Sequence, residues 1–226
     1  MFEEATFETW CKYMEKIILP SVISTLRMLF FTMFFAFVFG FLLSIVLYIN
    51  HEKGLKPNKM IYKTLDTVIN VIRSFPIIIM IVAISPITRL LVGTSVGERA
   101  AIFPLTLAAT PFIAKLFENA FLQVDKQLIL MGKSFGASNT FMMFRIIVKE
   151  SIPTLVSSMT LATITYLSAT TMAGAVGAGG IGAIALSYGY QSFNNQVLYT
   201  AVFILCILVQ IIQSVGNRIY NRIVSG

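Results

Sequence analysis

Two long stretches without charged side chains constrain this sequence more than any other feature. Met28–Asn50 contains no Lys, Arg, Asp or Glu, and Ser151–Asn217 contains none of these and no His. A transmembrane helix requires about 20 consecutive, mainly apolar residues, so both stretches are long enough to lie in a bilayer. Charged residues make up only 12% of the chain, whereas soluble domains carry about 25%. The sequence therefore predicts an all-α integral membrane protein.

Hydropathy predicts five membrane-spanning helices within one membrane domain, residues 20–217. The predicted spans are residues 20–49, 67–88, 100–116, 152–172 and 197–215. Arg73 and Pro76 interrupt the second span, and the third has a shorter uncharged stretch than a straight span requires. Residues 1–19 form an amphipathic segment before the first span, and residues 218–226 form a short tail after the last.

The positive charges predict the orientation of these spans. Lys and Arg are frequent between spans one and two, between spans three and four, and after span five, and they are sparse in the other segments. The positive-inside rule therefore places residues 1–19 outside the cell and residues 218–226 in the cytoplasm. The net charge of +7 follows from the same rule, so we do not interpret it as a nucleic-acid-binding signal.

Residues 117–151, between the third and fourth spans, form a charged and amphipathic segment inside the otherwise apolar sequence. Apolar residues recur there at helical spacing, which predicts one helix with Glu118 off its apolar stripe. The stripe consists of Phe117, Phe121, Val124, Leu128, Met131 and Phe135. Gly136 is predicted to end this helix at the position after its C-cap, where glycine is favoured.

A second, short helix is predicted over residues 140–149, with Ser138 or Asn139 as its N-cap. Pro153 then marks the point at which the chain re-enters the membrane. The short helix carries apolar residues on all sides, from Phe141 to Ile147. Such a surface requires a partner, so we expect it to dock on another protein; packing on the chain's own spans is the alternative.

Specific segments resemble a known family. Phe135-Gly136-Ala137-Ser138, followed by Ile146 and Pro153, resembles the cytoplasmic loop of importer-type ATP-binding-cassette (ABC) permeases. Other segments resemble the methionine-import subgroup: Arg73–Pro76, Pro86–Arg89, Val92–Ser95, Pro104–Thr106, Ala173–Gly182 and Tyr188–Tyr190. The chain departs from the family at Leu130-Met131-Gly132, where Glu-Ala-Ala is usual. The resemblance implies the type I permease fold in a bacterial inner membrane, with several membrane passes.

The resemblance also implies a function and a set of partners. The chain would be the permease subunit of an importer for an amino acid, methionine in its L or D form, with another small amino acid or related solute as the alternative. The expected partners are a second permease copy, two cytoplasmic ATPase subunits, an extracytoplasmic substrate-binding protein and membrane lipid. The ATPase-docking residues that it implies are Gly136, Ala137, Ser138, Phe141, Met142, Phe144, Arg145 and Ile146.

Two further groups of residues are candidates for the transport pathway. The resemblance implies that Met172, with Gly174 and Gly177, helps to close the outer side; a packing role for the methionine and close helix approach at the glycines are the alternatives. Arg73 either lines the pathway or is a structural charge near Pro76.

The sequence predicts no catalytic residues, because the acids are dispersed and the chain has a single His. We therefore expect no enzymatic activity, no cofactor and no metal in this chain, with ATP hydrolysis on a separate subunit. A secondary transporter is a less favoured alternative, since it requires acids within the membrane and the predicted spans contain none deep inside. A membrane scaffold without a pathway is a further alternative.

Overall fold

The computed structural model describes residues 13–225, and within this range the chain is built from helices joined by short turns. The helices are α1 (Met14–Asn50), α2 (Lys59–Ser74), α3 (Ile77–Ala83), α4 (Ser85–Val92), α5 (Glu98–Leu122), α6 (Lys126–Ser134), α7 (Asn139–Ala178), α8 (Gly180–Ile184, continued by a π-helical segment at Ala185–Gln191) and α9 (Asn195–Val224). The predicted all-helical fold is confirmed for this range. Most of the predicted N-terminal segment 1–19 lies outside the described residues; its last residues already belong to α1.

Polar side chains set the starts of several helices. Asn58 accepts hydrogen bonds from the backbone N–H groups of Met60 and Ile61, at 3.1 and 3.2 Å, at the start of α2. Asp125 accepts one from Gln127 N, at 2.9 Å, at the start of α6. These side chains satisfy N–H groups that have no partner within the helix, so each cap fixes where its helix begins.

Four helices of the described chain, α1, α5, α7 and α9, are long and apolar enough to cross a membrane. Helices α2 and α3 are bent relative to each other at Phe75–Pro76 and count as a fifth span only if they are taken together. If α2 and α3 are counted together as one span, the described chain has the predicted number of five spans. The helix that contains the predicted third span is longer than that span, because α5 continues to Leu122, and α9 continues to Val224 through most of the predicted tail.

The segment between the third and fourth spans differs from the prediction in two ways. The predicted single helix over 117–135 is two helices, because the chain turns at Gln123–Val124 and the Asp125 cap starts α6. The predicted short helix and the fourth span are also one continuous helix, and Pro153 lies inside it and not in a first turn. A π-helical turn at Met142–Ile147 precedes the proline.

The chain divides into two compact units. Of the described residues, the first unit comprises 13–33, 76–106 and 163–212, and the second comprises 34–75, 107–162 and 213–225. In the first unit, Thr25 Oγ1 accepts a hydrogen bond from Ile181 N at 2.9 Å, and the Arg27 guanidinium lies 2.7 Å from the Glu98 carboxylate. These contacts tie α1 to α8 and to the start of α5.

The core of the second unit is largely aromatic where α1 and α5 meet. Phe41 lies edge-to-face with Phe117 and Phe121, at centroid distances of 6.3 and 6.4 Å, and Tyr48 contacts Phe121 at 5.8 Å. Phe117, Phe121 and Tyr48 are fully buried. Aromatic pairs of this geometry add to the free energy gained by burial. The first part of the predicted apolar stripe therefore packs inside the protein.

Candidate docking and pathway surfaces

The turn between α6 and α7 has the geometry that the sequence predicts. Gly136 adopts a positive φ of 71°, and Ala137 N donates a hydrogen bond to Gly132 O at 3.0 Å. A residue with a side chain is strained at such a φ, which explains the glycine. Ser138 caps α7 by accepting from Phe141 N at 3.2 Å. Of the two predicted caps, Ser138 is therefore correct and Asn139 is the first helical residue.

The short docking helix, Asn139–Ile147, has two different faces. Phe141 and Phe144 are 53% and 49% exposed, and Arg145 is also exposed, whereas Met142, Met143 and Ile147 are buried. The alternative of packing within the chain itself therefore holds for one face of this helix, while the other face stays exposed. Met142 belongs to that packed face and not to the exposed surface. We call Phe141, Phe144 and Arg145 the docking surface.

Gly132 allows the packed face of the docking helix to lie close to α6. A Cβ atom at Gly132 would lie 3.0 Å from Ile146 Cδ1 and 3.5 Å from Met142 Sδ, so even an alanine would be in tight contact with the Ile146 side chain. On α6 itself, Leu130, Met131 and Phe135 are exposed. The second half of the predicted apolar stripe is thus an exposed apolar surface next in sequence to the docking surface.

A buried group of charges joins α2 to α5 in the second unit. Lys115 Nζ on α5 lies 2.7 Å from Asp66 Oδ1 on α2 and 2.6 Å from Glu118 Oε2, one turn further along α5. The same Nζ lies 3.4 Å from the Tyr62 hydroxyl, and Asn70 Nδ2 donates to Asp66 at 2.9 Å. The Glu118 side chain is only 1% exposed. We call Asp66, Lys115 and Glu118 the ion cluster.

The ion cluster corrects one expectation from the sequence. The charged segment that contains Glu118 was expected to lie in water or against another protein. Helix α5 instead buries Glu118, since neighbouring helices cover more than one side of it and Lys115 supplies a counter-charge. The apolar residues Ile113, Ala114 and Phe117 around the Lys115–Glu118 pair were a sequence signal for this burial.

The glycine-rich segment that follows the regular part of α7 is tightly packed. Gly174 is buried, and a Cβ atom there would lie 2.6 Å from Ala183 N, so only glycine fits this approach. Gly177 has a positive φ of 91°, and its carbonyl accepts a hydrogen bond from Gly97 N at 2.9 Å. Met172, just before this segment, is 46% exposed. The geometry thus agrees with the alternative that Gly174 allows two backbone segments to approach closely. The gate role of the segment stays a prediction.

Arg73 lies in the last turn of α2, beside the break at Phe75–Pro76. Its side chain is exposed on this chain, and the guanidinium carbon lies 5.9 Å from the centre of the Phe112 ring. A cation over an aromatic face is a favourable contact, and a positive charge near a helix C-terminus is stabilised by the helix dipole. Both features support the structural-charge reading, and the pathway role stays a prediction.

Comparison with known proteins assigns the chain to a family. The family model described as "Binding-protein-dependent transport system inner membrane component" matches residues 40–225. The probable D-methionine transport system permease protein MetI of Vibrio cholerae is 35% identical over 218 residues, which cover 96% of this chain and 97% of that protein. The methionine import system permease protein MetP of Bacillus subtilis is 38% identical over 178 residues, covering 79% and 80%.

A chain from a solved structure of the MetNI methionine ABC transporter, in inward-facing conformations, has the same fold. It superimposes with a TM-score of 0.91 and 39% sequence identity, over 93% of this chain and 97% of that chain. The resemblance seen in the loop and glycine motifs is therefore confirmed along nearly the whole chain. This multi-pass membrane protein belongs to the family of inner membrane components of binding-protein-dependent transport systems.

Proposed function

We propose that the chain forms the translocation pathway for methionine, in its L or D form, in an ABC importer. The main support is the similarity to permeases named for methionine transport, which extends over 96% of the chain in one case. The motifs at Gly136–Ser138 and Gly174–Gly182, and the exposed docking surface, agree with this role. The permease itself hydrolyses no ATP in this proposal; that reaction belongs to separate ATPase subunits.

The proposed assembly contains two copies of the permease, two ATPase subunits and one extracytoplasmic binding protein. Five spans do not readily enclose a pathway alone, so a homodimer with the pathway on its two-fold axis is the simplest arrangement. Each docking surface would face one cytoplasmic ATPase. ATP binding would close the two ATPase subunits on each other. Through the docking surfaces, this closure would then favour one of the two states of the permease dimer.

Reconstituted uptake tests this function. Vesicles that contain the permease, the ATPase from the same genome and its binding protein should take up labelled methionine only when ATP is present on the ATPase side. Unlabelled methionine should compete, whereas lysine and glutamate should not. Uptake without the ATPase, driven by a proton gradient, would overturn the proposal and favour the secondary transporter, for which the buried Glu118 is the one supporting observation.

Cysteine labelling tests the proposed orientation. In a background with Cys11 and Cys206 replaced by serine, single cysteines in 93–95 and 192–195 should react with a membrane-impermeant maleimide added to intact cells. Cysteines at Lys56 and Lys126 should react only after the membrane is opened, because they lie in segments that the positive-inside rule assigns to the cytoplasm. Labelling at Lys126 in intact cells would contradict the five-span topology.

A gate at Met172 makes a separate prediction. The side chain is partly exposed on the single chain, and a flexible thioether adapts to an irregular contact with a second copy. Met172→Ala should leave assembly intact but raise ATP hydrolysis in the absence of the binding protein, and Met172→Cys should cross-link between two permease copies at rest. Unchanged coupling in the alanine variant, with no cross-link in the cysteine variant, would make Met172 a packing residue.

A further inference from the structure

The docking helix is attached firmly to α5 in the second unit. Ser151 Oγ lies within 3.4 Å of Ala120 O, and it also donates to Ile147 O at 2.7 Å, so a buried hydroxyl connects the end of the docking helix to α5. Met142, Met143 and Ile147 of the docking helix are also buried. A packed interior of this kind transmits displacement and does not absorb it. Any movement of the docking helix is therefore passed to the last turns of α5.

Helix α2 is attached to α5 by the ion cluster, one to two turns before Ala120. Lys115 is the element that joins the two helices, since it contacts Asp66 across the helix pair and Glu118 on its own helix, at 2.7 and 2.6 Å. Apolar packing lies beside it: Ile69 of α2 packs with Ala114 of α5 and Leu47 of α1, and Tyr62 and Leu65 of α2 pack against this group. Apolar packing has no preferred direction, so the Lys115–Asp66 contact adds a directional link between α2 and α5.

The geometry points to Asp66 and Lys115 as positioning residues that make α2 follow the docking helix during the transport cycle. The path runs from the docking surface through Ser151 and Ala120 to α5, and through Lys115 and Asp66 to α2. Helix α2 leads directly to the break at Phe75–Pro76, where the second span changes direction. A displaced α2 therefore moves that break. The inference rests on the proposed function, because it assumes that an ATPase moves the docking surface.

Asp66→Asn isolates this link from the rest of the cluster. The substitution keeps the size of the side chain and leaves the Lys115–Glu118 pair in place, with one positive and one negative charge. No buried charge loses its only partner, so the variant should fold and assemble. The hydrogen bond from Asn70 to Asp66 lies within α2. Asn70→Ala removes this bond and leaves the Asp66–Lys115 contact in place, so it is the control for a loss of polar contacts on α2 alone.

The measured quantity is solute transported per ATP hydrolysed, in vesicles that hold the complete complex. Asp66→Asn should lower this ratio about fivefold or more, with little change in the amount of bound ATPase. Asp66→Glu retains the charge and should keep most of the ratio. Glu98→Gln, which removes an equally short ion pair with Arg27 in the first unit, should leave the ratio unchanged.

A covalent tether separates a mechanical role from a purely structural one. In an Asp66→Asn variant without Cys11 and Cys206, cysteines at Ile69 and Ala114 lie on the two packed helices and should form a disulfide on oxidation. Oxidation should restore transport per ATP, and reduction should remove it again. An unchanged ratio in Asp66→Asn, or no recovery with the formed tether, would overturn the inference. Lack of ATP-driven uptake by the unmodified complex would instead overturn the proposed function itself.

Discussion

Replacing Phe144 by Asp is expected to abolish stable binding of the ATPase subunit while the permease still inserts into the membrane. Phe144 is about half exposed on the docking surface, so the chain's own packing does not depend on the whole ring. In the complex, the new carboxylate would be forced into an apolar environment without a partner. A loss of about 3 kcal/mol weakens binding roughly 100-fold. Co-purification of the ATPase with the tagged permease measures the effect.

Two variants make this result specific. Thr140→Asp adds the same charge to the first turn of the same helix, where a negative charge is favourable, and it should leave ATPase binding nearly intact. Met142→Ala removes a buried side chain on the opposite face and should lower thermal stability of the permease before it affects binding. If Phe144→Asp still co-purifies with the ATPase in normal amounts, the docking surface has been assigned to the wrong residues.

Lys115→Met is expected to cost the permease most of its stability. Methionine fills about the same space, but Glu118 then remains buried without a counter-charge, since its carboxylate has Lys115 within 2.6 Å. Removing one partner of a buried ion pair costs about 3–5 kcal/mol, which is a large part of the stability of most domains. The permease should accumulate poorly, and its thermal transition in detergent should shift to lower temperature.

The matched variant removes the second charge as well. Lys115→Met combined with Glu118→Gln leaves no uncompensated charge on α5, and Asp66 on α2 keeps partial contact with solvent. Its stability should lie much closer to that of the unmodified protein, because the cost of the single variant is mainly the orphaned carboxylate. If the single and the double variants are equally unstable, the loss comes from packing at position 115 and not from charge.

The sequence was sufficient for features that depend on local chemistry. The absence of charge over Ser151–Asn217 predicted helices in the membrane, since a spanning segment must be apolar. Gly136 and Ser138 predicted the turn between α6 and α7, because a positive φ and an N-cap each select particular residue types. The loop and glycine motifs also identified the family correctly.

The features that sequence reasoning missed depend on tertiary contacts. The helical stripe from Phe117 to Phe135 indicated one face, yet its first half is buried and its second half is exposed, because the Asp125 cap divides the helix between them. The sequence placed Glu118 off the apolar stripe but did not show that it is buried, which depends on the helices that cover it and on the Lys115 counter-charge. Periodicity along one helix does not reveal which neighbours cover its other sides.

The unbroken run from the docking helix into the fourth span has a mechanical consequence. Within the second unit, α7 runs from residue 139 to residue 162, with a π-helical turn at Met142–Ile147 and Pro153 inside it, which is a length of roughly 36 Å at about 1.5 Å per residue. A tilt of about 10° around one end would carry the other end through about 6 Å. The proposed docking contact and the first turns of the fourth span thus lie on one helix, so a small rotation at the first would become a larger displacement at the second.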